Sequence, residues 1–456
     1  MKDLTKGSIS RHIMEMAAVM VIGMIGQTLY YLVDLYFVSG LGPQAIAGVG
    51  AAGNLAFVVM ALTQILNVGT VALISHAAGR KDQADANLVF NQSLALSAVI
   101  GVFVLVAGYL LTGPYMREVG ADEGMQKAGI TYLYWFLPGL ALQFAMVSMG
   151  AALRGTGIVR PTMTVQLLTV LLNVILAPVL IAGWGTGRPL GVAGAGLAST
   201  IAIVAGVVML TSYFTKLEKY VSFHSEQWQP KLAYWKRILS IGLPAGGEFF
   251  VMFLMMGISY WVIRDFGSEA QAGYGIGSRV MQAIFLPAMA VAFSAAPVAG
   301  QNFGARHADR VRETFRSAAL LETGAMAVIT LLCQIAPGAL IAAFTSDPKV
   351  IEVGTSFLRI ISWNFVGTGI IFTCSGLFQA MGNTWPALLS GVLRLLMFGI
   401  SAIWISRLPG FHLEQLWEVS VFTVLLQAVI SYALLKREMG RKLAFAPVAS
   451  APQAAR

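Results

Sequence analysis

Apolar runs of about 20 residues recur from one end of the chain to the other, divided by short polar stretches. Each run is long enough to cross the hydrocarbon core of a bilayer as a helix. Twelve are predicted, near 13–38, 45–75, 88–112, 125–153, 160–182, 192–215, 238–263, 270–299, 317–344, 353–380, 387–406 and 415–435. A membrane barrel would instead need strands of about ten residues that alternate apolar with polar, and no stretch of this chain does so. The pattern predicts an all-α polytopic membrane protein with 12 transmembrane helices.

The runs form two sets of six that resemble each other at an offset of 225 residues. Ala45-Ile46-Ala47-Gly48-Val49-Gly50 returns as Ala270-Gln271-Ala272-Gly273-Tyr274-Gly275, Gly79 and Lys81 return as Gly304 and Arg306, and Gly157 and Pro161 return as Gly382 and Pro386. Three blocks at one offset predict two six-helix lobes. An even number of spans per copy makes both enter the membrane from the same side, so the pseudo-twofold axis runs along the membrane normal, an arrangement common in secondary transporters. The expected organisation is a first lobe over 1–215, a linker over 216–237, a second lobe over 238–435, and a basic, disordered tail over 436–456.

Composition excludes an ordinary soluble protein. Mean hydropathy is +0.74, and charged residues make up 11% where soluble domains carry about 25%. The 48 glycines suit helices that approach closely in a bilayer. Cys333 and Cys374 both fall inside predicted spans and imply neither a disulfide framework nor a metal site. No phosphate loop, HExxH or CxxC is present, and the loops are too short for a catalytic domain, so no cofactor and no enzymatic activity are expected. The first span is too long for a secretory signal and is interrupted by Gln27 and Asp34, so it is expected to be retained.

The net charge of +9 is placed asymmetrically, which argues against a nucleic-acid partner. The termini and even-numbered loops carry 21 Lys and Arg, the other loops six. The positive-inside rule then puts both termini in the cytoplasm, in the inner membrane of a bacterium. The clusters Arg306/Arg310/Arg312/Arg316 and Lys436/Arg437/Arg441/Lys442 are expected to meet anionic lipid headgroups. Trp135, Trp184, Trp261, Trp363 and Trp404 read as interface anchors. Prolines inside spans, among them Pro178, Pro244 and Pro337, free backbone groups and kink helices. Fixed curvature explains them, with Pro178 and Pro244 as the candidate hinges.

Few polar groups are left to carry function. Asp34 stands in span 1, and an acid there is costly enough that it usually faces a cavity or a partner. Gln27, Tyr30, Tyr31 and Asp34 share one helix face, as in a helix that lines a wet cleft. Such an acid is a candidate to take up and release a proton. The alternative is a hydrated acid near a helix end. The matching position in the second copy is Ser259, so the lobes are not equivalent. The second lobe has Glu248, one turn after Pro244, with Arg279 and Gln282 on span 8 and Arg394 on span 11 as possible partners. A structural Glu248–Arg279 ion pair and a ligand-facing role both remain open. Glu15, Glu322, Glu418 and His76 are expected at the membrane interface.

The stretch Tyr30-Tyr31-Leu32-Val33-Asp34 through Gly40-Leu41-Gly42-Pro43-Gln44-Ala45-Ile46-Ala47-Gly48 resembles the multidrug and toxic compound extrusion family. Leu153-Arg154-Gly155-Thr156-Gly157 with Pro161, and Gly300-Gln301-Asn302-Phe303-Gly304, agree with it. The resemblance covers about 430 of the 456 residues. It implies an antiporter that exports organic cations and amphipathic drugs in exchange for inward protons or sodium by alternating access; a monomer is expected. It also implies that Asp34 couples to the ion, with Asn173 and Ser199 beside it. The branch sharing this neighbourhood often carries a second acid in helix 5, where this chain has Ala177, which favours protons over sodium. The helix-1 proline of some relatives is replaced by Val19. The helix-10 acid of others is missing, leaving Asn364 and Thr368. Two rivals are a flippase for lipid-linked saccharides, kept open by Arg279 and Arg394, and an integral membrane enzyme, for which no acid, base or metal cluster is present.

Overall fold

The computed structural model describes residues 1–120 and 122–445, apart from the side chains at 30, 31, 35, 56 and 57. The cavity-lining roles expected for Tyr30 and Tyr31 therefore lie outside the described residues, as does 446–456.

Helices account for the described membrane-spanning segments, because a bilayer offers backbone groups no partner but each other. In the first lobe they are α1 (Ile9–Ser39), α2 (Pro43–Gly79), α3 (Gln83–Val119), α4 (Glu123–Gly155), α5 (Arg160–Ile181) and α6 (Val192–Lys216). The second lobe holds α7 (Leu232–Ile263), α8 (Ser268–Gly304), α9 (Ala308–Ile335), the short α10 (Pro337–Ala342), α11 (Pro348–Ile361), α12 (Phe365–Ala380), α13 (Trp385–Ile405) and α14 (Leu413–Lys442). Twelve segments are long and apolar enough to cross a membrane, with α11 and α12 forming one of them. Starts follow local chemistry: Ser8, Asp82 and Asp122 each accept a hydrogen bond from a backbone N–H in the first turn, satisfying a donor that the helix itself leaves free.

Several sequence expectations shift. α14 continues through Lys442, so the basic run from Lys436, read as the start of the tail, is helical. Within it, Arg441 and Lys442 pair with Glu438. Pro337 opens α10 after a break at Ala336 rather than kinking a continuous span. Proline suits that first position because the missing N–H would be unpaired anyway. The tenth span is broken by a 3-10 turn at Ser362–Asn364. Part of the linker is tied down: Asn91 Oδ1 accepts from His224 N and Trp228 Nε1, and Gln92 Oε1 accepts from Lys231 N.

The repeat is visible in backbone conformation. Lys81 and Arg306, 225 residues apart, both have positive φ, at 59° and 61°, a conformation unusual for residues with a Cβ. Gly42 and Gly267 match likewise at 104° and 92°.

The lobes meet across the pseudo-twofold axis at the end of the bundle that carries both termini. A Cβ on Gly79 would strike the Gln301 carbonyl, and one on Gly304, its repeat mate, would strike the His76 carbonyl. Since 76 and 301 are themselves repeat mates, the contact is self-complementary. Around it, Leu4 N donates to Gln301 Oε1 at 2.9 Å and Gln301 Nε2 to the Gly155 carbonyl at 3.0 Å. His76, expected at the interface with water, instead donates from Nε2 to the Ala380 carbonyl of the other lobe at 2.5 Å. Arg310, expected among lipid headgroups, hydrogen-bonds Asn302 and the Gly7 carbonyl. Farther in, Gly242 lies against Ile65 and Gly246 against Ala61, while Ser294 reaches Met20. At the opposite end, Gly50 and Gly257 have nothing within 4 Å of a built Cβ.

Candidate functional site

In the first lobe, glycines set the register that positions Asp34. Gly23 lies against Met163 and Gly26 against Leu167, so α1 and α5 run side by side at an offset near 140 residues. That offset carries Asp34 to the level of Asn173. Both are buried, at 7% and 0% exposure, and Asn173 is the polar neighbour of the Asp34 carboxyl. Their geometry leaves Asp34 Oδ1 and both polar atoms of the Asn173 amide without a hydrogen-bond partner among the described residues. An unpaired buried polar atom is costly, so three together on facing helices mark a site able to take a proton or a small cation. Ala177, where a second acid was absent in sequence, is fully buried. Ser199 is also buried. The approach of Gly194 to Leu180 and of Gly206 to Thr169 puts it within about a turn of Asn173 along the bundle.

Two turns of α1 away from Asp34, toward the joined end, Gln27 borders a cavity of about 190 Å³ and accepts from Gln166 Nε2 at 3.2 Å. Gln64, Asn67, Gln143 and Arg154 also line it, with a rim of methionines and Phe293 from the second lobe. Arg154 hydrogen-bonds Asn67. Of these, the polar face of the first span points to Gln27 alone. Gln64, Asn67 and Gln143 are legible as polar residues inside apolar runs and Arg154 just past the end of one, but nothing along the chain shows that four helices bring them together with Gln27 and Gln166.

The second lobe encloses a larger cavity, about 240 Å³, between α7, α8, the broken tenth span, α13 and α14. Glu248, Gln282, Asn364, Thr368 and Arg394 all line it, and Ser259, the counterpart of Asp34, joins them. The Glu248 carboxylate accepts from Ser375 Oγ at 2.9 and 3.2 Å. Arg279 is the exception. It is exposed, lies outside the cavity lining, and forms no ion pair with Glu248 among the described residues. It neighbours Ser278 in sequence, but successive residues on a helix point about 100° apart.

Glu322 is a second correction. It is 1% exposed, in the middle of α9 against Gly369 of α12, with neither carboxyl oxygen hydrogen-bonded among the described residues. The helix extends farther toward the termini than hydropathy indicated, so this acid lies deep rather than at a span end.

Two lobes of six spans, joined at one end and each enclosing polar groups within apolar helices, define a polytopic membrane transporter. The chain belongs to the MatE family, whose model matches residues 20–179 and 244–405. Multidrug export protein MepA of Staphylococcus aureus (strain MSSA476) is 26% identical over 399 residues, 85% of each chain. Probable multidrug resistance protein YoeA of Bacillus subtilis (strain 168) is 25% identical over 395 residues, 84% of this chain and 82% of the relative. The fold is shared with a transporter of the MOP superfamily from Pyrococcus furiosus Vc1, described as having a binding pocket of reverse polarity (TM-score 0.89, 24% identity, 96% and 98% of the two chains). It is also shared with a multidrug resistance MATE family transporter in an outward-facing conformation (TM-score 0.90, 24% identity, 97% and 98%).

Proposed function

We propose that this transporter exports cationic or amphipathic organic compounds in exchange for inward cations, protons rather than sodium, with Asp34 as the coupling group. The names of the relatives MepA and YoeA support drug export. The observation that carries the coupling role is the buried Asp34–Asn173 pair with its unpaired polar atoms. A proton needs a single acceptor atom, whereas a hard metal cation needs several oxygen ligands. With Ala177, not an acid, one turn beyond Asn173 on α5, one carboxylate and one amide suit the proton.

The positive-inside bias puts the joined end, with both termini, in the cytoplasm, so this arrangement is open outward. A proton binding Asp34 from outside removes the charge that holds a cationic substrate. The substrate leaves, the lobes part at their glycine contacts to open inward, and release of the proton inside resets the site. A tenfold proton gradient supplies about 1.4 kcal/mol, which drives exchange of one monovalent cation for one proton without help from the membrane potential.

The test is export of a cationic dye from proteoliposomes under imposed proton or sodium gradients, wild type beside Asp34→Asn. Wild type is expected to follow the proton gradient, and Asp34→Asn to lose at least tenfold of the gradient-driven rate. Transport that follows sodium alone overturns the choice of ion, and full activity in Asp34→Asn overturns the site.

A further inference from the structure

The second-lobe cavity contains a cation with no ion-pair partner among the described residues. Arg394 stands near the middle of α13, and its guanidinium is charged at any physiological pH. Among the described residues no carboxylate lies within ion-pair reach of it. Glu248, the one acid lining the cavity, is engaged by Ser375. The register of α13 on α7, fixed by Gly391 against Val251 and Gly399 against Ile258, sets Arg394 roughly 8 Å beyond Glu248 along the bundle at 1.5 Å per residue. Tyr274 is the ionisable group beside the guanidinium, and a neutral phenol does not balance its charge.

Buried polar atoms lining the same cavity are unpaired as well. Arg394 Nε and Trp417 Nε1 are donors without acceptors, and Asn364 Oδ1 is an acceptor without a donor. The wall beside them is aromatic: Tyr274 stacks on Trp417 with centroids 5.4 Å apart, and Phe357 meets Trp417 edge-on at 4.9 Å. Arg394 is half-buried with its Nε enclosed and unpaired, and holding a cation away from bulk water without a counter-charge is costly.

We propose that this cavity binds a small aromatic molecule through a carboxylate seated on Arg394, with its ring system against the Tyr274–Phe357–Trp417 wall. The planar guanidinium fork matches a carboxylate with two parallel hydrogen bonds, and the Trp417 N–H is a further donor. Glu248, set about 8 Å back along the bundle, leaves room for a basic group at the far end of the ligand, so amphoteric aromatics fit as well as acids. This goes beyond export of cations, since it assigns the second lobe a site of opposite preference.

Dansylglycine and dansylamide test it, because they share the ring system and differ in the carboxylate. Their binding to the purified full-length protein is read by fluorescence titration. Wild type is expected to prefer dansylglycine at least tenfold. Arg394→Gln should abolish that preference while leaving dansylamide affinity within about threefold. Trp417→Phe, which keeps the ring and removes the N–H, should weaken dansylglycine three- to tenfold. Asp34→Asn, in the other lobe, should keep the preference, which separates this site from the coupling reading. Equal binding of the two probes by wild type overturns the proposal whether or not the variants fold. So does a preference that survives in Arg394→Gln.

Discussion

Asp34 and Glu322 are both acids inside apolar runs, and the sequence ranked them differently from the structure. Asp34 stood out because polar neighbours at helical spacing gave it a face. Glu322 has Leu320, Leu321 and Thr323 around it, and only the extent of α9 shows that it lies deep. Its carboxyl group meets Gly369 and the Met326 side chain and hydrogen-bonds nothing among the described residues. Desolvating a polar group without a partner costs about 1–3 kcal/mol. Glu322→Met, which fills similar volume without that cost, is therefore expected to stabilise the purified protein by about this amount, seen as a rise in melting temperature. A fall would mean that the acid has a partner in the folded protein.

At the scale of elements, glycines decide how closely the helices approach. Gly79 and Gly304 each face a backbone carbonyl of the opposite lobe, and backbone cannot yield as a flexible side chain can. Gly79→Val and Gly304→Val should each destabilise this arrangement by about 1–3 kcal/mol, the usual cost of overpacking. They should also speed maleimide labelling of a cysteine placed at Ser10, beside the joint. Gly50→Val and Gly257→Val, with open space at the same atom, are the controls and should change neither property. Equal effects at all four positions would show that the joint is not where the lobes hold together. The offset repeat made these glycines visible in sequence, but their partners were not, because a repeat reports equivalence and not contact.

At the scale of the molecule, the lobes behave as two bodies joined at one end. Ser10 on α1 and Ser317 on α9 approach to 3.2 Å between hydroxyl oxygens across that joint. The double substitution Ser10→Cys/Ser317→Cys is expected to form a disulfide under oxidation, since such a bridge needs its cysteines this near. The cross-link should reduce gradient-driven export at least tenfold, with recovery on reduction. The native Cys333 and Cys374 are buried and should not interfere. A cross-linked protein that transports at full rate would mean that the lobes need not separate here.

Run length, the 225-residue offset and the charge asymmetry determined the class of this protein from sequence alone. They predicted twelve helices, two lobes and a chain built for lipid, because a bilayer imposes its thickness and its intolerance of charge on every span independently. The candidate acids were legible for the same reason: polar residues are rare enough in such runs to be conspicuous. The tertiary structure alone decided which of them meet. It put Asp34 beside Asn173, engaged Glu248 with Ser375 instead of Arg279, left Arg394 uncompensated among aromatics, and buried Glu322. Hydropathy along a helix fixes depth and length, whereas the neighbours of a side chain depend on rotation about the helix axis and on helices far away in the chain.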